Sequence, residues 1–591
     1  MSVKTIVENV LTPARVRDLW TANYFAALPF TPQHFEIGSL LPAMLYMARW
    51  GHRRGKGRFI ETFGQPVAQG SPQPPSLDNV VARLLADTGG KFEGFTDHRA
   101  PAVLADLLLT YCLENKDHKL DHQESVQRAF ATHYLASWLD LPKDAANLRG
   151  VPELLTGLLA WQDRGDTLAL GGRTRFPVGA GFADNLLLKQ FARHMTIQGP
   201  AANQVADRFL EQQADDLGVD ELLAVRLAQS CGQAPDAARG GDARAIANRW
   251  PIAKTAAKHL RGDLATFIEV YGTAMPRQAL QAMLEAGIGL GMTNLLFATN
   301  VCLSDWECSG TIPREQKPMP LFADCSHGVD GKLRNASEAA MSGALARYER
   351  LPTLMMLARV LDDRVSHHPR LRNNLPSRQP DPTAWIELLG TVYHGQHERS
   401  DSILERLDED CTRLAEVLQR ENEAPEVAQS LGNEQINAAL RLAEALVELH
   451  GRDTQGRQFA KALDSSLMPN RPNGLTFKRR VQRSEGGLRR SVDLRSIVLS
   501  NALLDFLVHR HLRKDGKDRM QRRLTLRQFL DILRDHYGLH VDREPEGLSV
   551  PQDLLRANKH WLERRLRDLG LLVGVNDAES LKQLRPRFLV A

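Results

Sequence analysis

Ala286-Gly-Ile-Gly-Leu-Gly-Met-Thr-Asn-Leu-Leu-Phe-Ala-Thr-Asn-Val-Cys-Leu303 contains no charged side chain and leads directly into Cys308, Cys325 and His327. Its 18 residues reach the lower edge of membrane-spanning length. However, it carries Gly287, Gly289, Gly291, Thr293, Asn294, Thr299 and Asn300, and no aromatic belt or basic flank follows. A segment apolar on every side and rich in small residues reads as a closely packed core helix. With Cys302 included, the residues after it run C-x5-C, x16, C-x-H. Thiolate and imidazole are the ligands of a tetrahedral structural Zn2+ site, so Cys302, Cys308, Cys325 and His327 are candidate zinc ligands. The spacing is looser than a zinc knuckle, and reduced cysteines packed at a helix end are the competing reading.

Outward from that core, 591 residues suffice for about three to five domains. The fold expected is mainly α and multidomain, with small β hairpins and a C-terminal winged-helix-like α+β module. The segments are a helical 1–75, a helical body 76–366, an acidic helical hairpin 384–463 and a basic module 464–591. Hydrophobic content of 43% with 25% charged residues supports a sizeable buried core and argues against disorder. Six cysteines in so long a chain make no disulfide framework, and the first 20 residues lack an apolar h-region. A cytoplasmic protein without a membrane partner is expected.

Breaks and motifs place the remaining segments. Ala68–Pro75 and the proline-rich 367–382 are turn-rich boundaries. Thr167–Val178 reads as a short hairpin turning at Gly171-Gly172. Cys112, His118, His122 and His133 form a second, weaker ligand set, but the glutamate of an H-E-x-x-H base is missing. Ile403, Leu407, Leu414 and Leu418 make one helical stripe, with Cys411 inside it as core.

Charge is distributed unevenly. Residues 461–591 hold 27 Lys and Arg against 16 Asp and Glu, a net of +11, whereas the rest of the chain is at −7. Residues 478–527 alone hold 15 against 5. Such a bias points to an acidic partner, with nucleic acid first. Leu475–Gln482 reads as a strand that turns at Gly486-Gly487 into Leu488–Leu494, followed by an amphipathic helix from Ile497 to Leu512. Thr525 caps a helix ending at Gly538, and a second runs from about Pro551 to Leu569. Leu571–Val575 and Arg585–Val590 pair as a wing across Asn576-Asp577. Lys478, Arg479, Arg480, Arg489 and Arg490 on the hairpin, with Arg556, Lys559, Arg564, Arg565 and Arg567 on the last helix, are the candidate contacts to duplex DNA. Solvated basic faces and protein-binding winged helices are the alternative reading.

Two regions resemble a known group. Tyr537-Gly-Leu-His-Val-Asp542 with Asn558, Leu566, Leu569-Gly570, Asn576-Asp-Ala578 and Arg585-Pro-Arg-Phe588 is one; Leu321-Phe-Ala-Asp-Cys-Ser-His-Gly328 before a helix is the other. Both resemble large subunits of multigene bacterial antiphage defence islands, of the methylation-associated defence type. The resemblance implies partner defence proteins and supplies no catalytic residues. No Walker A, H-E-x-x-H, G-x-S-x-G or dinucleotide fingerprint occurs. Three readings follow: a non-catalytic subunit that contacts DNA or scaffolds, a metal-dependent nuclease using carboxylates such as Asp305, Glu307 and Asp324, or an adaptor acting through its acidic hairpin.

Overall fold

The computed structural model describes residues 245–590 apart from 486–487, 515–519 and 575–581; before these it describes 2–11, 23–50, 58–64, 74–87, 91–95, 97–115, 126–130, 132–138, 148–160, 174–177, 185–196, 208–212 and 217–231. It is mainly α. From residue 254 the helices are α1 (Lys254–Tyr271), α2 (Arg277–Ser309), α3 (Gly331–Tyr348), α4 (Leu351–His367), α5 (Thr383–Tyr393), α6 (Ser400–Arg420), α7 (Pro425–Leu431), α8 (Ala438–Leu449), α9 (Arg452–Leu467), α10 (Asn501–His511), α11 (Leu526–Tyr537) and α12 (Gln552–Asp568). Shorter helices, among them Leu40–Trp50 and Val151–Leu158, make up the N-terminal side.

The opening stretch is the axis of the molecule. It lies within α2, whose most apolar 18-residue window is 83% buried inside the protein, the environment of a core helix. Its glycines are a packing device. A Cβ on Gly287 would stand 2.5 Å from the Phe506 ring of α10, and one on Gly291 would stand 2.3 Å from Leu260 of α1. Both contacts are far inside van der Waals distance, so a side chain at either position would force Phe506 or Leu260 out of its place in the core. Gly310, at φ +76°, ends α2 as a left-handed cap that non-glycine residues resist.

The strands β1 (Leu321–Asp324), β2 (Thr476–Glu485), β3 (Leu488–Val498) and β4 (Leu539–His540) form one sheet of order β4-β1-β3-β2. β2 and β3 are antiparallel, while β1 runs parallel to both β3 and β4. All four residues of β1 are buried, as expected of an apolar strand flanked on both edges. The β2–β3 hairpin matches the sequence expectation, but β3 extends through Val498 and α10 starts only at Asn501. Ser500 explains that boundary, since its Oγ caps the helix by accepting from Leu503 N.

Elsewhere, α6 buries Ile403, Leu407, Cys411, Leu414 and Leu418, and α8 returns after α7. Arg175–Pro177 pairs with Ala245–Ala247, while the expected turn at Gly171-Gly172 lies outside the described residues. Of the second ligand set, His118 and His122 also lie outside them; His133 is buried and holds Arg193 O and Leu135 N. The stretch 367–382 is docked on the body, with Pro380 O accepting from Trp250 N and Arg378 lying 4.2 Å over the Trp385 ring. Among the described residues, one hydrophobic cluster runs from Ile6 to Leu584.

Candidate nucleic-acid interface

The β2–β3 hairpin splits its cations by position. Near its base, Lys478 Nζ lies 3.1 Å from both Asp464 and Asp493. Arg479 clasps Glu338 of α3 with two bonds of 2.5 and 2.6 Å, and Arg495 clasps Asp464 of α9 at 2.6 and 2.8 Å. Bidentate pairs of this kind are the geometrically specific ones. These residues fasten the hairpin to the helical body. Arg480, 75% exposed and 3.9 Å from Asp493, remains turned to solvent. Arg489 and Arg490 occupy the strand positions opposite Ser484 and Arg483, towards the turn.

Helix α12 separates its residues by face. Leu555, Asn558, Leu562, Glu563 and Leu566 are buried, whereas Arg556, His560, Arg564 and Arg567 are exposed. Offsets of 4, 8 and 11 residues place those four on a single stripe. Arg556 and Arg564 have solvated acidic neighbours, Asp553 at 3.5 Å and Asp568 at 3.9 Å, whereas Arg567 lies 3.6 Å from the buried Glu563. Lys559 is intermediate in exposure. Arg565 points inward, where Nη2 donates to Asn501 Oδ1 at 3.0 Å and Nη1 is buried without a partner. Burial disfavours its guanidinium cation, with Cys325 and Asp324 nearby. Arg523 and Arg527 are exposed cations without an ion-pair partner among the described residues. They lie within the basic run, Arg523 before the Thr525 cap and Arg527 in the first turn of α11.

Below α12, Asn558 welds three segments together. Its Oδ1 accepts from Cys325 N at 2.9 Å, and its Nδ2 donates to Ala323 O at 2.8 Å and Val541 O at 3.0 Å. The hairpin after α12 pairs Leu572–Val573 (β5) with Gln583–Leu584 (β6), so its second strand lies earlier than the expected Arg585–Val590. Pro586 accounts for that, having no N–H to extend the ladder. Gln583 also bridges Thr525, the cap of α11, which forms a capping box with Gln528.

The structure does not gather Cys302, Cys308, Cys325 and His327. Cys302 and Cys308 lie on α2, six residues or about 9 Å apart along its axis, one buried and one exposed. Cys325 is buried and His327 is exposed on the turn after β1, its ring edge-on to Phe477. Burial pushes the Cys302 thiol up to about 12 and the Cys325 thiol higher still, away from the thiolate a metal requires. Asp324 closes that turn by accepting from Ser326 N, Ser326 Oγ and Gly328 N at 2.9, 2.6 and 2.9 Å. With Glu307 engaged by Arg350, the carboxylates Asp305, Glu307 and Asp324 form no ligand group either.

One group of potential metal ligands does converge among the described residues: Asp263, His511 and His536, with ligand atoms within 4.8 Å of one another. Asp263 of α1 accepts from Arg510 Nε at 2.8 Å and Tyr537 OH at 2.9 Å, and lies 3.2 Å from His536 Nε2. His511 Nε2 is 2.7 Å from the Tyr537 hydroxyl, and His259 stacks on His536 at 3.6 Å. Burial pushes the Asp263 carboxyl up, but the His536 hydrogen bond and the charges of His536, Arg510 and His511 outweigh it and bring it to about 2. Arg510 already supplies the cation on that carboxylate, so the cluster acts as a polar junction fixing α10 and α11 to α1. Partners separated by more than 240 residues leave no local signal in a sequence.

Fold and surface together describe a mainly helical protein with a basic C-terminal face. A family model for methylation-associated defense system protein MAD7 matches residues 184–588, more than half of the chain. The chain belongs to that family of defence-system proteins. No curated protein and no solved structure matches it.

Proposed function

We propose that this chain is a non-catalytic, DNA-contacting or scaffolding subunit of a bacterial antiviral defence system, acting in the cytoplasm beside other defence proteins. The observation that carries the reading is the exposed stripe on α12, where the guanidinium groups of Arg556 and Arg564 have solvated acidic neighbours and are not consumed in holding the fold together. The order α10, the Thr525 bridge, α11, α12 and the β5–β6 hairpin supports a winged-helix-like module, with α12 as the helix offered to a groove. Arg480, Arg523 and Arg527 add exposed positive charge for the phosphate backbone.

Titration of full-length protein into labelled duplex DNA at increasing salt tests this. The expected result is affinity that falls steeply with salt and weakens on Arg556→Glu with Arg564→Glu. Affinity indifferent to both would remove the reading and favour an adaptor that recognises protein alone.

A further inference from the structure

Away from the basic module, a cavity of 370 Å³ opens between the segment around Phe25–Thr31, the start of the Val151–Leu158 helix and the strand residues near Ala247. Two arginines line it, Arg149 and Arg249. Neither has an ion-pair partner among the described residues, and the Nε of each is buried with no hydrogen-bond partner. Arg149 is held at the rim by a left-handed backbone, φ +59°, whose carbonyl accepts from Thr31 N at 2.8 Å. Arg249 lies 5.2 Å over the Phe25 ring, and its chain neighbours are tied by Asn248 N to Thr174 O and Trp250 N to Pro380 O. Both side chains therefore extend from fixed backbone.

A half-buried guanidinium with no ion pair recovers only part of its desolvation cost. Burial and the nearby charge of Arg175 disfavour the Arg249 cation further, with Glu153 offsetting them in part. An anion between Arg149 and Arg249 would relieve the imbalance, and paired arginines match the oxygens of a phosphate. Glu153 in the same lining would repel a uniformly negative ligand, whereas it accommodates one with hydrogen-bond donors at its other end. Phe25, 41% exposed, adds an apolar wall. The volume falls within the range of small-molecule sites.

We infer that this cavity is a binding site for a nucleoside phosphate, with Arg149 and Arg249 on the phosphate and Glu153 facing the donor-bearing end. The site is independent of the α12 face, so either can fail without the other.

Calorimetry and thermal melting of the full-length protein with AMP, ATP and pyrophosphate test it. Saturable binding of a nucleotide is expected, tighter than pyrophosphate and accompanied by a rise in Tm. Arg249→Ala should weaken it about ten- to a hundredfold, the range for a charge-assisted hydrogen bond. The same variant should melt without ligand at or above the wild-type temperature, because it removes an unpaired cation; a purely structural arginine would lower it. Arg149→Gln provides a second reading of the affinity loss. Competition with a short duplex separates the sources: displacement assigns the phosphate to nucleic acid, and no displacement assigns it to a free nucleotide. Failure of the wild type to bind any of the three probes at millimolar concentration overturns the site, as does wild-type affinity in both variants.

Discussion

Two basic stretches with the same appearance in the sequence meet opposite fates. At the base of the β2–β3 hairpin, Lys478, Arg479 and Arg495 are taken up by Asp464, Asp493 and Glu338. On α12, Arg556, Arg564 and Arg567 keep between 40% and 80% of their side-chain surface in water. Net charge counts both groups alike, yet Arg556 and Arg564 of the second have only solvated acids beside them and are the better placed to meet an anion. What separates them is whether an acidic side chain from another element lies across the strand or helix, and that is a property of the fold.

The sharpest test of the difference is charge reversal on each side. Converting Arg556 and Arg564 together to Glu should cost about tenfold or more in duplex affinity and flatten the salt dependence by nearly two phosphate contacts, as read by fluorescence anisotropy. Thermal stability should hardly move. The reverse pattern is expected for Asp464→Ala, which strands Arg495 and leaves Lys478 with Asp493 alone: a loss of about 2 kcal/mol in denaturant titration, below the 3–5 kcal/mol of a fully buried pair because Asp464 is partly solvated. Its DNA affinity should stay unchanged. Should both substitutions act on affinity, the two regions would be one surface and the contrast would be void.

Acid sharpens the contrast from beneath. Burial lowers His133, His259, His450 and His509 to about 4. For each, the unfolded chain takes up a proton more readily than the folded one. The stability they contribute is therefore fully present above about pH 6.5 and is lost as pH falls towards 4. His509 is bound into that neutral state, with Nε2 accepting from Arg587 N and Phe588 N. Melting temperature should fall across that window. The smallest effects belong to the cysteines. Cys308→Ser and exposure to a chelator should each shift stability by less than about 0.5 kcal/mol, the range of neutral surface changes.

The sequence made the local elements legible. The uncharged run of α2, the hairpin strands, the Thr525 cap and Gly538 stop of α11, and the stripe of α6 all follow from periodicity and end signals within one window. The sheet did not. β1 and β4 are four and two residues long and pair with partners more than 170 residues away, a contact no spacing rule reaches. Without β1 in view, Cys325 and His327 read as ligands beside Cys302; with it, they belong to a strand-to-helix turn closed by Asp324. Arg565 had the same difficulty, since one residue of register decides whether an arginine on α12 faces water or Asn501. Arg149 and Arg249 stand 100 residues apart and share no motif.

Asn558 bears on how any partner meets the molecule. One amide, wholly enclosed, ties α12 to the backbone of β1 and to the segment after β4, so the helix cannot roll or slide without breaking three hydrogen bonds at once. The outward arginines are thereby locked in direction with respect to the central sheet before anything arrives. A partner must then adapt its own shape to a stiff template, and its dissociation rate, more than its arrival, would register any loosening of that amide.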